Sequence, residues 1–345
     1  MPSYAKIEER KVDVAMSNFN DIYGQEGIKT HLQDAIEKNQ VSHAYIFNGG
    51  DGIGKMMMAQ ILAKTLQCES QGVNPCNSCA SCKQADSGNH PDIHYITHEK
   101  PAIISVDEVR NQLVSDIQIK PYSSKHKIYI MDDAQKMNVQ AQNAILKTIE
   151  EPPAYGIIIL LTTNANSLLE TIRSRCVVLD FKPVSENLVK QYLSDHCNLL
   201  GSKADFAAAF AQGKIGRAKD AAQSDVFAGL SEEVFKICRH VRELTLPEVF
   251  SAAKDAVAYK ATMDDFLDLF AMWFRDVLIF KSTWDTNRLI FKSDVSVIRD
   301  QAEHTTYNGL NDILEAIDKV KVRLKANVTF ELALELLYMT IRENM

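Results

Sequence analysis

The stretch AYIFNGGDGIGKMMMAQIL (44–62) decides the fold. An apolar run, AYIFN, is followed by the glycine-rich turn Gly49 to Lys55 and then by apolar residues at helical spacing. Strand, glycine turn and helix in that order give the G-x-x-x-x-G-K pattern of a phosphate-binding loop. Glycines such as Gly49, Gly52 and Gly54 let backbone N–H groups curl round phosphates. The helix N-terminus adds its dipole, and Lys55 supplies a charge for the β/γ-phosphates. The residue after the lysine is ordinarily Ser or Thr, whose hydroxyl ligates magnesium; here it is Met56, which offers no oxygen.

Working outward, further apolar runs read as strands: DIHYI (92–96), KIYIMD (127–132), GIIILLTT (156–163) and CVVLDF (176–181). Between them KMMMAQILAKTL (55–66), SVDEVRNQLVSDI (105–117) and NVQAQNAILKTIEE (138–151) carry helical periodicity. Near-continuous apolar strands alternating with helices predict a parallel sheet covered on both faces. Strand signals stop after Pro183. Residues 185–224 read as short helices broken by Gly201, Gly213 and Gly216, and from 225 onward the pattern is helical, ending in FELALELLYMTIREN (330–344). The expected class is an α/β phosphate-loop domain followed by a small helical domain and a larger all-α domain.

Asp132 and Asp133 close the KIYIMD strand. In phosphate-loop proteins a carboxylate there holds magnesium and a following acid can orient the attacking water; the other reading is a helix N-cap for the segment behind it. With Met56, an Asp at the second acid leaves a site expected to hydrolyse nucleotide poorly.

Cys68, Cys76, Cys79 and Cys82 offer four thiolates with x7, x2 and x2 spacings, enough for a closed tetrahedral zinc site. An iron–sulfur cluster is the competitor, but a ferredoxin run needs a further Cys where this chain has Asp86. A closed four-thiolate site leaves no open position for catalysis, so structural Zn2+ is the expectation.

The chain has 345 residues, 46% of them hydrophobic, and 38 Lys plus Arg against 45 Asp plus Glu for a net charge of −7. That composition excludes a disordered or fibrous chain and argues against a surface that grips nucleic acid all over. Residues 1–16 carry charges of both signs and no apolar run, unlike a secretory signal. The densest apolar stretch, FLDLFAMWFRDVLIF (266–280), is too short for a span and is interrupted by Asp268, Arg275 and Asp276, so a buried core helix is expected. A cytoplasmic location with no membrane partner follows as an expectation.

Together the residues resemble the bacterial clamp-loader AAA+ family. The matching stretches are YGQEGIKTHLQDAI (23–36), SHAYIFNGGDGIGK (42–55), the four cysteines, GNHPDIHYI (88–96), KIYIMDDAQKMNVQAQNAILKTIEEPP (127–153), LLETIRSRC (168–176) and RLKANVTFELALELL (323–337). The resemblance implies a tail at 1–16, an AAA+ domain over 17–182 with a zinc module at about 66–90, a helical lid at 183–224 and a helical collar for oligomerisation at 225–345. It implies that Arg175, in Ser174-Arg175-Cys176, is an arginine finger offered in trans to a neighbour's γ-phosphate. Thr163 matches a sensor at its strand end, Arg217 matches the second sensor, and Cys176 is expected to be a small buried residue. The implied partners are the family's tau/gamma and delta subunits, the sliding clamp and primed DNA; ATP binding is possible. HPD after the cysteines and the degenerate loop favour a stator that completes the ring. Two alternatives stay open: an active ATPase motor of the tau/gamma type, and a zinc-dependent nucleic-acid-binding protein.

Overall fold

The computed structural model describes residues 18–325 and 329–345, so the tail at 1–16 lies outside the described residues. The chain divides into two compact units. One runs to Leu188 and takes in Gly213–Gly216; the other comprises Val189–Gln212 and Arg217–Met345.

The first unit is built on five parallel strands: β1 (Ala44–Asn48), β2 (Ile93–Ile96), β3 (Lys127–Met131), β4 (Gly156–Thr162) and β5 (Val177–Asp180), in the order β2-β3-β4-β1-β5. Each predicted strand is found, within a residue or two at its ends. The central strands β1, β3 and β4 are largely apolar because both of their faces are covered, and alternate side chains enter different cores. Tyr45, Phe47, Ile128, Ile130, Ile157 and Ile159 join α1 (Glu26–Glu37) and α2 (Lys55–Gln67) on one face. Ile46, Tyr129, Met131, Ile158 and Leu160 meet the helices of the other face. Those are α4 (Val106–Val109) and α5 (Val139–Glu150). Between α2 and β2 lies the short α3 (Ala80–Asp86), and α6 (Glu170–Arg173) precedes β5.

Two local details differ from the sequence reading. The helix expected over 105–117 is one α turn, α4, capped by Ser105, then a π turn at Arg110–Val114 and a 3-10 turn at Asp116–Gln118. The N-cap of α5 is Asn138, whose Oδ1 accepts from the Ala141 N–H at 2.8 Å, rather than either aspartate.

The second unit is helical. α7 (Glu186–Cys197) and α9 (Ile215–Gln223) have their first residues in the first unit and the rest here. They are joined by α8 (Ser202–Ala211), α10 (Asp225–His240), α11 (Leu246–Asp255), α12 (Met263–Thr283), α13 (Val295–His304), α14 (Tyr307–Lys325) and α15 (Phe330–Asn344). One core serves α8 to α15. Phe210 of α8 meets Phe227 of α10 at 4.5 Å between ring centres, and Phe206 stands 5.8 Å from Phe291. The run at 266–280 is a core helix as expected: Phe266, Phe270, Trp273, Phe274 and Val277 are fully buried in α12. Its Asp276 is buried too, and is tolerated because its carboxylate accepts from the Ile290 and Phe291 N–H groups and pairs with Arg275. Among the described residues no helix is long and apolar enough to cross a membrane.

Candidate functional site

The phosphate loop joins β1 to α2 at the C-terminal edge of the sheet. Gly54 precedes α2 at φ 99°, a left-handed conformation that a side chain would strain. Lys55 opens the helix with its side chain only 7% exposed. Its Nζ donates to the carbonyls of Gly49 and Gly50, the latter at 2.9 Å, and lies 3.9 Å from Asp51. Burial holds the Lys55 amine below its ordinary pKa, and Lys214 adds to that; Asp51, Asp132 and Asp133 act against it.

Asp132, Asp133 and Thr163 come to the same edge, at the ends of β3 and β4. Asp132 Oδ1 accepts from the Asp133 N–H at 3.0 Å, and Asp133 sits in the left-handed region at φ 53° with Lys136 2.7 Å away. Gln135 links the two strands: its Nε2 donates to Asp133 at 3.0 Å and its Oε1 accepts from the Thr163 N–H at 3.2 Å. Sequence reasoning passed over Gln135, which carries no motif. It also passed over the approach of Lys214–Gly216 to the loop. The Gly216 N–H donates to Gly52 O at 2.8 Å, and a side chain at Gly216 would meet Gly52 backbone at 3.0 Å. Lys214 lies against Gly50.

Arg175 stands elsewhere in this unit, on the turn after α6. Its Nε pairs with Glu150 at 3.0 Å, and its Nη1 donates to Thr171 O at 3.0 Å and Ser174 Oγ at 3.3 Å. Cys176 beside it is half-buried, and burial pushes its thiol up to about 12, so it packs rather than reacts. Arg217, in the second unit, is committed to two carboxylates: its Nη2 lies 2.8 Å from Asp265 and 2.6 Å from Asp268. Its guanidinium also lies 3.9 Å over the Phe210 ring.

Cys68, Cys76, Cys79 and Cys82 converge, with all four sulfurs within 4.8 Å of one another. Cys68 follows α2, Cys79 caps α3, and Cys82 lies in its first turn. Successive backbone N–H groups point at sulfur: Cys76 N–H to Cys68 at 3.2 Å, Cys79 N–H to Cys76 at 3.4 Å, Cys82 N–H to Cys79 at 3.4 Å. Cys76 and Cys82 sulfurs are 4.0 Å apart. A tetrahedral ion with bonds of about 2.3 Å asks for sulfur–sulfur edges of about 3.8 Å, so the cluster could hold a metal ion. Ser78 through its hydroxyl and backbone, together with the Cys79 N–H, holds the Cys76 thiol down at about 5. That favours the thiolate at Cys76, whereas burial and the neighbouring Cys79 and Cys68 push the Cys82 thiol up.

The HPD after the cysteines ties this module to the sheet. His90 meets Ser81 Oγ at 3.0 Å through Nε2 and accepts from the Asp92 N–H through Nδ1. The buried Asp92 carboxylate accepts from the N–H groups of Tyr122, Ser123 and Ser124 at 2.5, 2.8 and 3.0 Å.

Comparison with known proteins adds a relative of nearly full length. DNA polymerase III subunit delta' of Bacillus subtilis is 30% identical over 322 residues, covering 90% of this chain and 94% of that protein. The chain belongs to the DNA polymerase III delta-prime family. The family model described as DNA polymerase III, delta subunit, matches residues 24–185. DNA polymerase III subunit tau of the same bacterium is 27% identical, covering 89% of this chain and 58% of that protein. Among solved structures, a DNA polymerase III gamma subunit-related protein of Thermotoga maritima matches with TM-score 0.45 and 19% identity, covering 92% of this chain and 99% of that one.

Proposed function

We propose that this chain is the stator of a DNA polymerase III clamp loader, a subunit that completes a ring and hydrolyses little ATP itself. In this reading the AAA+ domain spans 17–182, the lid 183–224 and the collar 225–345. The collar joins tau/gamma and delta subunits, and the assembly loads the sliding clamp onto primed DNA in the cytoplasm. Zn2+ held by Cys68, Cys76, Cys79 and Cys82 is structural: it closes the loop between α2 and α3, and the cysteines' own N–H···S bonds pre-order that knuckle.

The observation that carries the reading is the state of the phosphate loop. Met56 stands where magnesium needs a hydroxyl, and Lys55 is turned onto the carbonyls of Gly49 and Gly50. Gly49, Gly52, Gly54, Lys55, Asp132, Asp133 and Thr163 form the inherited nucleotide-binding set, retained without the parts that make hydrolysis fast. Arg175 is the residue that acts, stabilising charge on a neighbour's γ-phosphate. Mixing the chain with its tau/gamma and delta subunits, clamp and primed DNA tests this. The DNA-stimulated ATPase should fall at least tenfold with Arg175→Ala, and an unchanged rate removes the finger.

The motor reading draws on Lys55, Asp132 and Thr163 sharing one sheet edge. Steady-state ATP turnover by the isolated chain, abolished by Lys55→Ala, would establish it in place of the stator.

A further inference from the structure

Glu150 is the last residue of α5, and Glu151 follows it as the C-cap. Acids are misplaced at a helix C-terminus, where the carbonyl end of the dipole is already negative. The dipole therefore disfavours Glu150 at this place in α5. Nor does the ion pair with Arg175 stabilise the fold appreciably: the two side chains are 45% and 40% exposed, and pairs so well solvated contribute little. A local rule broken without a stability return marks a functional position.

The geometry supplies the function. Arg175 is gripped on two sides, its Nε by Glu150 and its Nη1 by Thr171 O and Ser174 Oγ. Among the described residues nothing accepts from its Nη2. A long, flexible side chain is thereby fixed with one donor edge turned outward. Neighbouring Arg173 differs, since its Nη1 is tied to Asn166 Oδ1 at 2.6 Å. The recess in front of Arg175 is lined by His43, Ile149, Glu150, Glu151 and Arg175 itself.

We infer that Glu150 is a positioning residue for Arg175, orienting the guanidinium so that its free edge meets a phosphoryl group bound by the adjacent subunit. This rests on the reading of Arg175 as a finger in trans. A guanidinium held in advance loses little freedom when the phosphate arrives, so the effect falls on the rate of the chemical step rather than on ATP affinity.

The test uses the assembled complex with clamp and primed DNA, comparing wild type, Glu150→Gln, Glu150→Asp, Arg175→Ala and the Glu150→Gln/Arg175→Ala double variant. Glutamine keeps the size and removes the charge. Glu150→Gln should lower kcat about tenfold with KM for ATP unchanged and with normal assembly by gel filtration. Glu150→Asp should recover part of that rate, and the double variant should be no slower than Arg175→Ala alone. A wild-type kcat in Glu150→Gln while Arg175→Ala is impaired overturns the positioning role and leaves the finger standing. A further drop in the double variant, or loss of assembly in Glu150→Gln, also overturns it. A wild-type rate in Arg175→Ala removes both.

Discussion

Arg217 offers the sharpest separation between a residue that binds nucleotide and one that holds the fold. Its side chain is 14% exposed, and it contacts carboxylates of 35% and 20% exposure on α12, with Phe210 beneath it. Lys321 reinforces the cluster, its Nζ 2.6 Å from Asp268. Replacing Arg217 by Ala strips both carboxylates of that partner. At this intermediate burial each contact contributes about 1 kcal/mol, between exposed pairs and buried charged hydrogen bonds. The ring contact adds about 0.5–1 kcal/mol. The sum is about 3 kcal/mol, which for a unit of this size lowers the melting midpoint by roughly 6–12 °C. The assay is selective, because both tryptophans of the chain, Trp273 and Trp284, lie in the second unit, so their fluorescence follows its unfolding alone. The same preparation is titrated with a fluorescent ATP analogue, whose affinity should not change. A midpoint within about 2 °C of wild type together with a tenfold loss of nucleotide affinity would refute the reasoning, and return Arg217 to a sensor's role. The pH dependence has a definite sign. Burial alone would raise the Asp268 carboxyl, but Lys321 and Arg217 outweigh it and hold it below the usual carboxylate range. The stability is therefore present above about pH 4 and is lost as pH falls through the depressed folded value, so the gap between wild type and Arg217→Ala should close in acid.

Two other predictions concern the cysteine module and its anchor. Asp92→Asn should cost about 2–4 kcal/mol at pH 7, because an amide sets N–H groups against the donors of Tyr122 to Ser124; urea unfolding checks this. The hydrogen bonds from those donors outweigh burial and depress the Asp92 carboxyl, so this penalty too should shrink below about pH 4, and a pH-independent loss would contradict the account. Purified protein should release about one zinc per chain on thiol modification, and chelation should open the chain to tryptic cleavage at Lys83, inside α3; Cys82→Ser protein that keeps its metal and its resistance would count against the site.

Much of the site was legible in the sequence because its parts are local. The glycines, the lysine and the missing hydroxyl at Met56 fall within the eight residues from Gly49 to Met56, and the x2 spacings alone gather Cys76, Cys79 and Cys82. The sheet was legible because strands buried on both faces, such as β3 and β4, are apolar at nearly every position between their ends. Other features depend on residues far apart in the chain. Gln135 joining Asp133 to Thr163, Gly216 laid on Gly52, and Glu150 gripping Arg175 have no sequence signature, since each needs elements brought together by the core. The same holds for the helices after Pro183. Their periodicity revealed each helix, but only the packing of Phe206 and Phe210 against Phe227 and Phe291 assigned α8 to the core of the C-terminal helices. Sequence alone determined the chemistry each segment carries, because propensity and spacing act within a few residues. Tertiary structure decided which charges are free to act, because burial and pairing between distant segments set whether an arginine is engaged, as Arg217 is, or held with one edge open, as Arg175 is.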